Sequence, residues 1–250
     1  MRNSHLTYRT SNPALNKNTF KSVSSSNSFT LDQKMTIKGT VDKTAFCLIL
    51  LLIPAYYVFT TGSVGYAIPG AFLGIILAFV TIFKRKWAQY TVPAYSVAQG
   101  CALGGISYYY NQAYDGIVLQ SISLTVCILF SLLFAYRSKI IRATENFKLG
   151  LFAAMGGIIL LYVVNFIMSF FGSGISLLDI NNSSNLSIGL SLFIVVIASL
   201  NLVIDFDFIE EGSEKGAPKY MEWYGAFGLL VTLIWLYLEI LRMLAKIKNR

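Results

Sequence analysis

Seven long apolar segments, separated by short polar ones, follow a polar stretch of 43 residues at the start of the chain. Each segment has about the 17 to 25 residues that an α-helix needs to cross roughly 30 Å of hydrocarbon. Apolar and polar residues do not alternate along them, as they would in the strands of a membrane-spanning β-barrel. The pattern therefore predicts an all-α bundle with helices over residues 44–60, 66–83, 91–110, 116–136, 149–171, 186–209 and 223–245.

The composition supports a membrane protein. Hydrophobic residues make up 55% of the chain and charged residues 13%, whereas soluble domains average about 25% charged residues. The first 43 residues differ from the rest because they are polar and include a Ser-rich run at 22–28. Such a composition is typical of a flexible segment. We predict a flexible basic tail over 1–43 and a seven-helix transmembrane domain over 44–250.

The placement of Lys and Arg predicts the topology. They lie before the first predicted helix, in Lys84-Arg85-Lys86, between 137 and 148, at Lys215 and Lys219, and from Arg242 onward. The alternate loops 61–65, 111–115 and 172–185 contain none. Because cytoplasmic loops of membrane proteins carry the excess of Lys and Arg, this pattern predicts a cytoplasmic amino terminus. The net charge of +8 therefore reports orientation in a lipid bilayer, and no nucleic-acid partner is predicted.

The last basic cluster leaves two alternatives open. An odd number of spans carries Arg242, Lys246, Lys248 and Arg250 to the outside, against the positive-inside rule. Either the last helix is a true span with a basic outer end, or it is re-entrant and returns to the cytoplasm.

The predicted helices contain no set of residues that is typical of a catalytic site. The one histidine, His5, lies in the tail, and Cys47, Cys101 and Cys127 are isolated in different predicted helices. No zinc site, catalytic triad or cysteine cluster can be assembled from them. We predict no cofactor, no bound metal and no enzymatic activity.

Small residues predict close helix packing at two places. Gly100, Gly104 and Gly105 form a small-residue ridge on the third predicted helix, and Gly156 with Gly157 forms one on the fifth. Helices in lipid associate mainly by packing, and small residues allow their backbones to approach.

Two acidic residues lie inside predicted spans, Asp205 on the sixth helix and Glu239 on the seventh. An ionisable side chain within the bilayer is a functional hypothesis by default. Asp207 points to a different helix face and is a possible substitute for Asp205. Glu239 has an alternative explanation, an i, i+3 pair with Arg242. The other acids of this region are predicted to form a solvated rim: Glu210, Glu211, Glu214 and Glu222.

A series of motifs resembles the Bax inhibitor-1 (transmembrane Bax inhibitor motif) family, above all its bacterial branch. The motifs are VPAYS at 92–96, IRAT at 141–144, NLVIDF at 201–206 and LYLEIL at 236–241. The resemblance covers almost the whole chain. It implies a seven-helix fold in which the last helix is central and the other six wrap it. It also implies an integral protein of the bacterial plasma membrane, with the endoplasmic reticulum as the eukaryotic alternative.

The resemblance further implies a pH-sensitive calcium leak. In such a mechanism Asp205 and Glu239 share a proton, and loss of this proton separates the two helices and lets Ca²⁺ pass. Two close carboxylates in a low dielectric do titrate as a coupled pair. The alternative function that the family allows is a non-catalytic regulator that binds another membrane protein, such as a membrane-bound quality-control protease.

Three features of this sequence differ from the family pattern on which the roles of Asp205 and Glu239 are based. Residue 239 is Glu where the family usually has Asp, Gln99 replaces a common Glu, and the connection around 218–224 is longer. With a rise of 1.5 Å per residue, Asp205 lies about 9 Å and Glu239 about 24 Å from the inner ends of their predicted helices. We predict that the two carboxyl groups nevertheless come within hydrogen-bonding distance, which requires that segment 218–227 projects from the membrane or breaks.

Overall fold

The computed structural model describes residues 34–250, and most of the predicted tail lies outside the described residues. The described part is helical, with three single 3₁₀ turns in the connections. We number its long helices in chain order. Their bounds are α1 Ile37–Thr61, α2 Ala67–Phe83, α3 Ala88–Ala113, α4 Ile117–Arg137, α5 Glu145–Phe170, α6 Asn185–Glu214 and α7 Met221–Lys248. The all-α class predicted from the sequence is confirmed for this part of the chain.

Short polar side chains fix where three of these helices begin. Thr36, Thr144 and Ser184 have extended backbones, and their hydroxyl oxygens accept hydrogen bonds from the backbone N–H groups three residues later. These are N-caps, which satisfy an otherwise unpaired helix donor. Because Thr36 caps α1, this helix begins seven residues before the predicted residue 44, and Ile37 to Lys43 belong to it.

Six of the helices are long and apolar enough to cross a membrane: α1, α2, α4, α5, α6 and α7. The prediction of spans is confirmed for these six by length and composition. The helix α3 has 26 residues, also sufficient in length, but it is less apolar. A seventh span therefore stays a prediction.

The helices α6 and α7 contribute most of the buried core of the bundle, together with residues of α3 and α1. In their most apolar windows 56% and 61% of residues are buried, compared with 11 to 22% in α1, α2, α4 and α5. The last helix packs against α1, α3, α4 and α6. In contrast, α2 lies mainly against α3 and α5 mainly against α6. The expectation that all six helices wrap the last one stays a prediction.

The loops gather at two ends of the bundle. We call the end with loops 84–87, 138–144 and 215–220 the basic end. Lys34 forms a β-bridge with Pro218 there, and the backbone N–H of Met35 donates to the carbonyl of Ala217 at 2.6 Å. The other loops, 62–66, 114–116 and 171–184, lie at the opposite end, because consecutive helices run in alternating directions.

The last helix crosses the whole bundle. It is unbroken from Met221 to Lys248, and its final residues contact the opposite end. Lys246 Nζ donates to the carbonyl of Leu177 at 2.7 Å, and Lys248 Nζ donates to that of Asp115 at 2.8 Å. Of the two alternatives for the last helix, the through-going one fits this course. Lys246 and Lys248, whose position the positive-inside rule does not explain, therefore donate hydrogen bonds to backbone carbonyls of the protein.

The glycine ridges behave differently on the two helices. A Cβ added to Gly104 would lie 2.5 Å from the carbonyl oxygen of Ala55, and one added to Gly70 would lie 2.6 Å from that of Ala98. The ridge on α3 thus packs backbone to backbone against α1, as predicted, and Gly70, which was not predicted, does the same between α2 and α3. Gly156 and Gly157 have no atom within 4 Å of an added Cβ. The prediction that this ridge packs against another helix is therefore wrong within the described chain.

Candidate ion-gating site between α6 and α7

Three contacts set the register of the antiparallel pair α6 and α7. Asn201 Nδ2 donates to Thr232 Oγ1 at 3.3 Å. Toward the basic end, the rings of Phe208 and Tyr224 are 6.4 Å apart. A Cβ on Gly225 would touch Ile209 at 3.2 Å. In each pair the two residue numbers add to about 433, so this sum identifies the residue of α7 that lies level with any residue of α6.

Asp205 lies one turn beyond Asn201 on the same face of α6 and is level with Gly228 by this register. It is 2% exposed. Neither of its carboxylate oxygens makes a hydrogen bond of normal geometry, and neither has a charged partner, among residues 34–250; the neutral Thr232 hydroxyl is close enough to interact with it. A carboxyl group in this environment is unfavourable when ionised, since it has lost its water and gained no counter-ion.

Glu239 has the opposite environment, although it is also 2% exposed. Its Oε1 accepts hydrogen bonds from Tyr162 Oη at 2.8 Å and Trp235 Nε1 at 3.2 Å. Arg242 lies within 3.0 and 3.1 Å of its two oxygens and also donates to Tyr162 Oη at 2.6 Å. The alternative explanation of Glu239 as a partner of Arg242 is the one that the geometry supports.

The predicted contact between the carboxyl groups of Asp205 and Glu239 is wrong. The register places Glu239 level with Ile194, eleven residues from Asp205, or about 16 Å along the helix axis. The connection between α6 and α7 is short and contains Gly216 with a φ of 64°. Because α7 begins at Met221 and does not break, it carries Glu239 past the depth of Asp205.

Asp207 lies at the surface of the same region. Its side chain is 27% exposed and forms an ion pair with Lys148 of α5. Nearby, Tyr136 of α4 donates a hydrogen bond to Glu210. These contacts tie the end of α6 to two neighbouring helices. Asp207 therefore does not occupy the buried position in which it could substitute for Asp205.

Glu222 is a buried residue that the sequence analysis placed in the solvated rim. It is 1% exposed, so that prediction is wrong. Its carboxylate forms an ion pair with Lys43 and accepts hydrogen bonds from the backbone N–H and hydroxyl of Thr36 at 3.0 and 2.9 Å. A Cβ on Gly39 would collide with it. The missing side chain at Gly39 is the only local signal of this site.

Polar side chains continue along the α6–α7 contact to the opposite end. Ser187 Oγ and Lys246 Nζ donate to the same carbonyl, that of Leu177. Lys246 is fully buried. We call the whole row the polar seam. Its members are Ser187, Ser191, Asn201 and Asp205 of α6 and Thr232, Glu239, Arg242 and Lys246 of α7.

The spacing of these residues could have revealed the seam. Positions 187, 191, 201 and 205 lie on one face of a helix with 3.6 residues per turn, and so do 232, 239, 242 and 246. Trp235 lies four residues before Glu239 on the same helix, so its contact could also have been inferred from spacing. The participation of Tyr162 had no such signal, because it depends on how α5 packs. Within residues 34–250, no group of three His, Cys, Asp or Glu side chains could hold a metal ion.

The comparisons with known proteins agree with this architecture. The family model described as Bax inhibitor 1 like matches residues 12–249. Comparison with curated proteins and with solved structures found no match. The match extends over nearly all of the 250 residues, including every element that forms the polar seam. The chain therefore belongs to the Bax inhibitor 1 like family.

Proposed function

We propose that this multi-pass membrane protein is a pH-sensitive calcium leak in which Asp205 is the titrating group. The observation that carries the proposal is the burial of Asp205 without a counter-ion, and without a hydrogen bond of normal geometry to either carboxylate oxygen, among the described residues. An ionised carboxylate costs roughly 3 kcal/mol at the centre of a bilayer on insertion scales, which is an upper limit for Asp205 because it lies nearer the basic end. The protonated form therefore favours the packed bundle, and the ionised form favours entry of water or a cation.

Aromatic side chains separate Asp205 from the basic end. Tyr224 lies 6.3 Å from Phe227 between ring centroids, and Tyr95 lies 5.2 Å from Phe227. Together with Phe208, these residues form what we call the aromatic plug, in the next two turns of the bundle. An apolar constriction of this kind closes a pore by excluding water. In the proposed mechanism, ionisation of Asp205 draws water to the plug and opens it.

The other part of the seam limits the rate of flux. Glu239 is neutralised by Arg242 and is not a switch in this proposal. Lys246 lies in the seam near the opposite end, where its Nζ donates to the Leu177 carbonyl, and a lysine side chain in a pore raises the barrier to cations. A slow leak is therefore favoured over a channel of high conductance.

The oxygens around the titrating group suit calcium. Ca²⁺ prefers carboxylate, amide and hydroxyl oxygens, which Asp205, Asn201 and Thr232 supply. No group of acidic residues in the described chain is dense enough to retain it. We propose Ca²⁺ as the ion that passes and not as a resident ligand, and the role is non-catalytic.

The proposed arrangement in the membrane has seven spans. The helix α3 is buried among its neighbours through residues such as Val92, Ala98 and Ala102, so it needs less apolar surface than a helix that faces lipid. We propose that it is the seventh span, that α7 is central, and that the basic end faces the cytoplasm. The family resemblance favours a bacterial plasma membrane.

The test is Ca²⁺ flux into liposomes that contain the purified full chain, measured from pH 5 to 8. Asp205→Asn removes the titrating group at nearly constant size and should abolish the pH dependence of flux. Asp207→Asn makes the same chemical change two residues away, at a partly exposed ion pair, and should retain it. A variant Asp205→Asn that follows the wild-type pH curve would overturn the proposal.

A second candidate function is the regulator that binds another membrane protein. The observation that favours it is the exposed glycine surface of α5, where Gly156 and Gly157 contact no other helix of the described chain. A photo-crosslinking side chain at Gly157 should then capture a protein in intact membranes, whereas one at the exposed Phe166 of the same helix should capture lipid. Equal protein capture at both positions would count against this candidate.

A further inference from the structure

A groove of about 670 Å³ opens at the basic end, where the connection between α2 and α3 meets the start of α7. One wall is apolar and belongs to the last turns of α2, with Phe79 and Phe83. The other wall carries three consecutive cations, Lys84, Arg85 and Lys86, followed by Trp87. The groove lies outside the polar seam, and it borders the aromatic plug through Arg85, which lies 5.7 Å from the Tyr224 ring.

The charge of the groove is positive and unbalanced. No acidic side chain lines it, and none of the ion pairs within residues 34–250 involves its three cations. Lys84 instead lies 4.3 Å from the Trp87 ring, and Arg85 lies 5.7 Å from the Tyr224 ring. Both Lys84 and Lys86 are exposed. A concave site lined by cations that have no acidic partner is complementary to an anion.

The apolar wall indicates what kind of anion fits. Phe83 is 80% exposed and Phe79 is 57% exposed, and their rings stack 6.4 Å apart. They belong to a helix whose outward surface is apolar, as expected for a surface that faces lipid chains. Trp87, also half exposed, is of the type enriched where the hydrocarbon meets water. The groove therefore joins an anion site to an acyl-chain surface.

We propose that this groove binds an anionic phospholipid. Its phosphate and acidic headgroup lie among Lys84, Arg85 and Lys86, and its acyl chains lie along Phe79 and Phe83. Basic pockets beside transmembrane helices are suited to such headgroups. A soluble phosphate compound would match the cations but would leave the two exposed phenylalanine rings without a role.

The test uses the purified full chain in a neutral detergent, with lipid binding followed by native mass spectrometry and by the shift in unfolding temperature. Phosphatidylglycerol should bind and raise the unfolding temperature, whereas phosphatidylcholine and glycerol 3-phosphate should do so weakly. The double variant Lys84→Gln/Lys86→Gln should weaken phosphatidylglycerol binding by about tenfold or more. The control Lys139→Gln/Arg142→Gln removes the same charge from exposed positions of another loop at the basic end and should bind as the wild type does.

Three results would overturn the assignment. Equal weakening by both double variants would show a general surface-charge effect. Equal stabilisation by glycerol 3-phosphate and phosphatidylglycerol would show a site for free phosphate. Equal binding of phosphatidylcholine would show that the cations do not select the lipid. If the double variant does not fold, the same proposal is tested by the single variant Lys86→Gln and by competition between phosphatidylglycerol and phosphatidylcholine for the wild type.

Discussion

Removal of Arg242 tests whether Glu239 is a fixed structural carboxylate. The variant Arg242→Met keeps much of the side-chain volume and leaves the Glu239 carboxylate, 3% exposed, without its counter-ion. Breaking a buried ion pair from one side costs about 3 to 5 kcal/mol. Tyr162 and Trp235 would remain as donors, and the Arg242 side chain is 28% exposed. We therefore expect a loss near the lower limit, about 3 kcal/mol.

A double-mutant cycle separates the ion pair from other effects. Glu239→Gln keeps an acceptor for Tyr162 and Arg242, so it should cost about 1 to 2 kcal/mol. The double variant should be more stable than Arg242→Met alone, because no uncompensated charge remains in it. The control Lys215→Met breaks a partly exposed pair with Glu211 and should cost at most about 1 kcal/mol.

The free energy of unfolding can be measured in mixed micelles by denaturing-detergent titration, followed by circular dichroism. If Arg242→Met costs no more than Lys215→Met, the pair with Glu239 is not a buried structural contact. If the costs of Glu239→Gln and Arg242→Met add in the double variant, the two residues are not coupled. Either result would return Glu239 to the set of candidate switch residues.

Two further predictions concern packing and topology. Gly104→Ala should destabilise the bundle by about 1 to 3 kcal/mol through overpacking, because its new Cβ would press on the Ala55 carbonyl; Gly156→Ala, in open space, should not, and equal effects in thermal unfolding would refute the packing argument. A cysteine at Ser183 should react with a membrane-impermeant reagent in intact cells, since the basic end is predicted to be cytoplasmic; labelling only after permeabilisation would reverse the topology.

Hydropathy located the helices well but not always their ends. The fourth helix was predicted over 116–136 and is observed at Ile117–Arg137. The sixth was predicted to end at 209, yet α6 continues to Glu214. The reason is physical: the apolar length reports the hydrocarbon thickness, whereas a helix continues into water as long as its backbone bonds are made. The local sequence predicts these helices because the position of each one is set by the hydropathy of its own residues.

The candidate site could be predicted only in part. The depth argument raised a mismatch between Asp205 and Glu239, but we still predicted that their carboxyl groups pair, and the register of α6 and α7 keeps them apart. The Arg242 pair was available from i, i+3 spacing on one helix. In contrast, Glu222 meets Thr36 across 186 residues of sequence, and Tyr162 meets Glu239 across 77. Contacts of that kind depend on how whole helices pack, and the local sequence carries no signal of them.

The separation of the two acids changes the expected pH response. A carboxylate pair that shares one proton titrates in two coupled steps, whose apparent pKa values belong to the pair. Asp205 lies about 16 Å along the axis from Glu239, and Glu239 keeps its own counter-ion, so the proposed gate has one proton to lose. Calcium flux plotted against pH should therefore show a single inflection, and Glu239→Gln should leave its position unchanged. Two inflections, with one lost in Glu239→Gln, would mean that the bundle rearranges to bring the acids together.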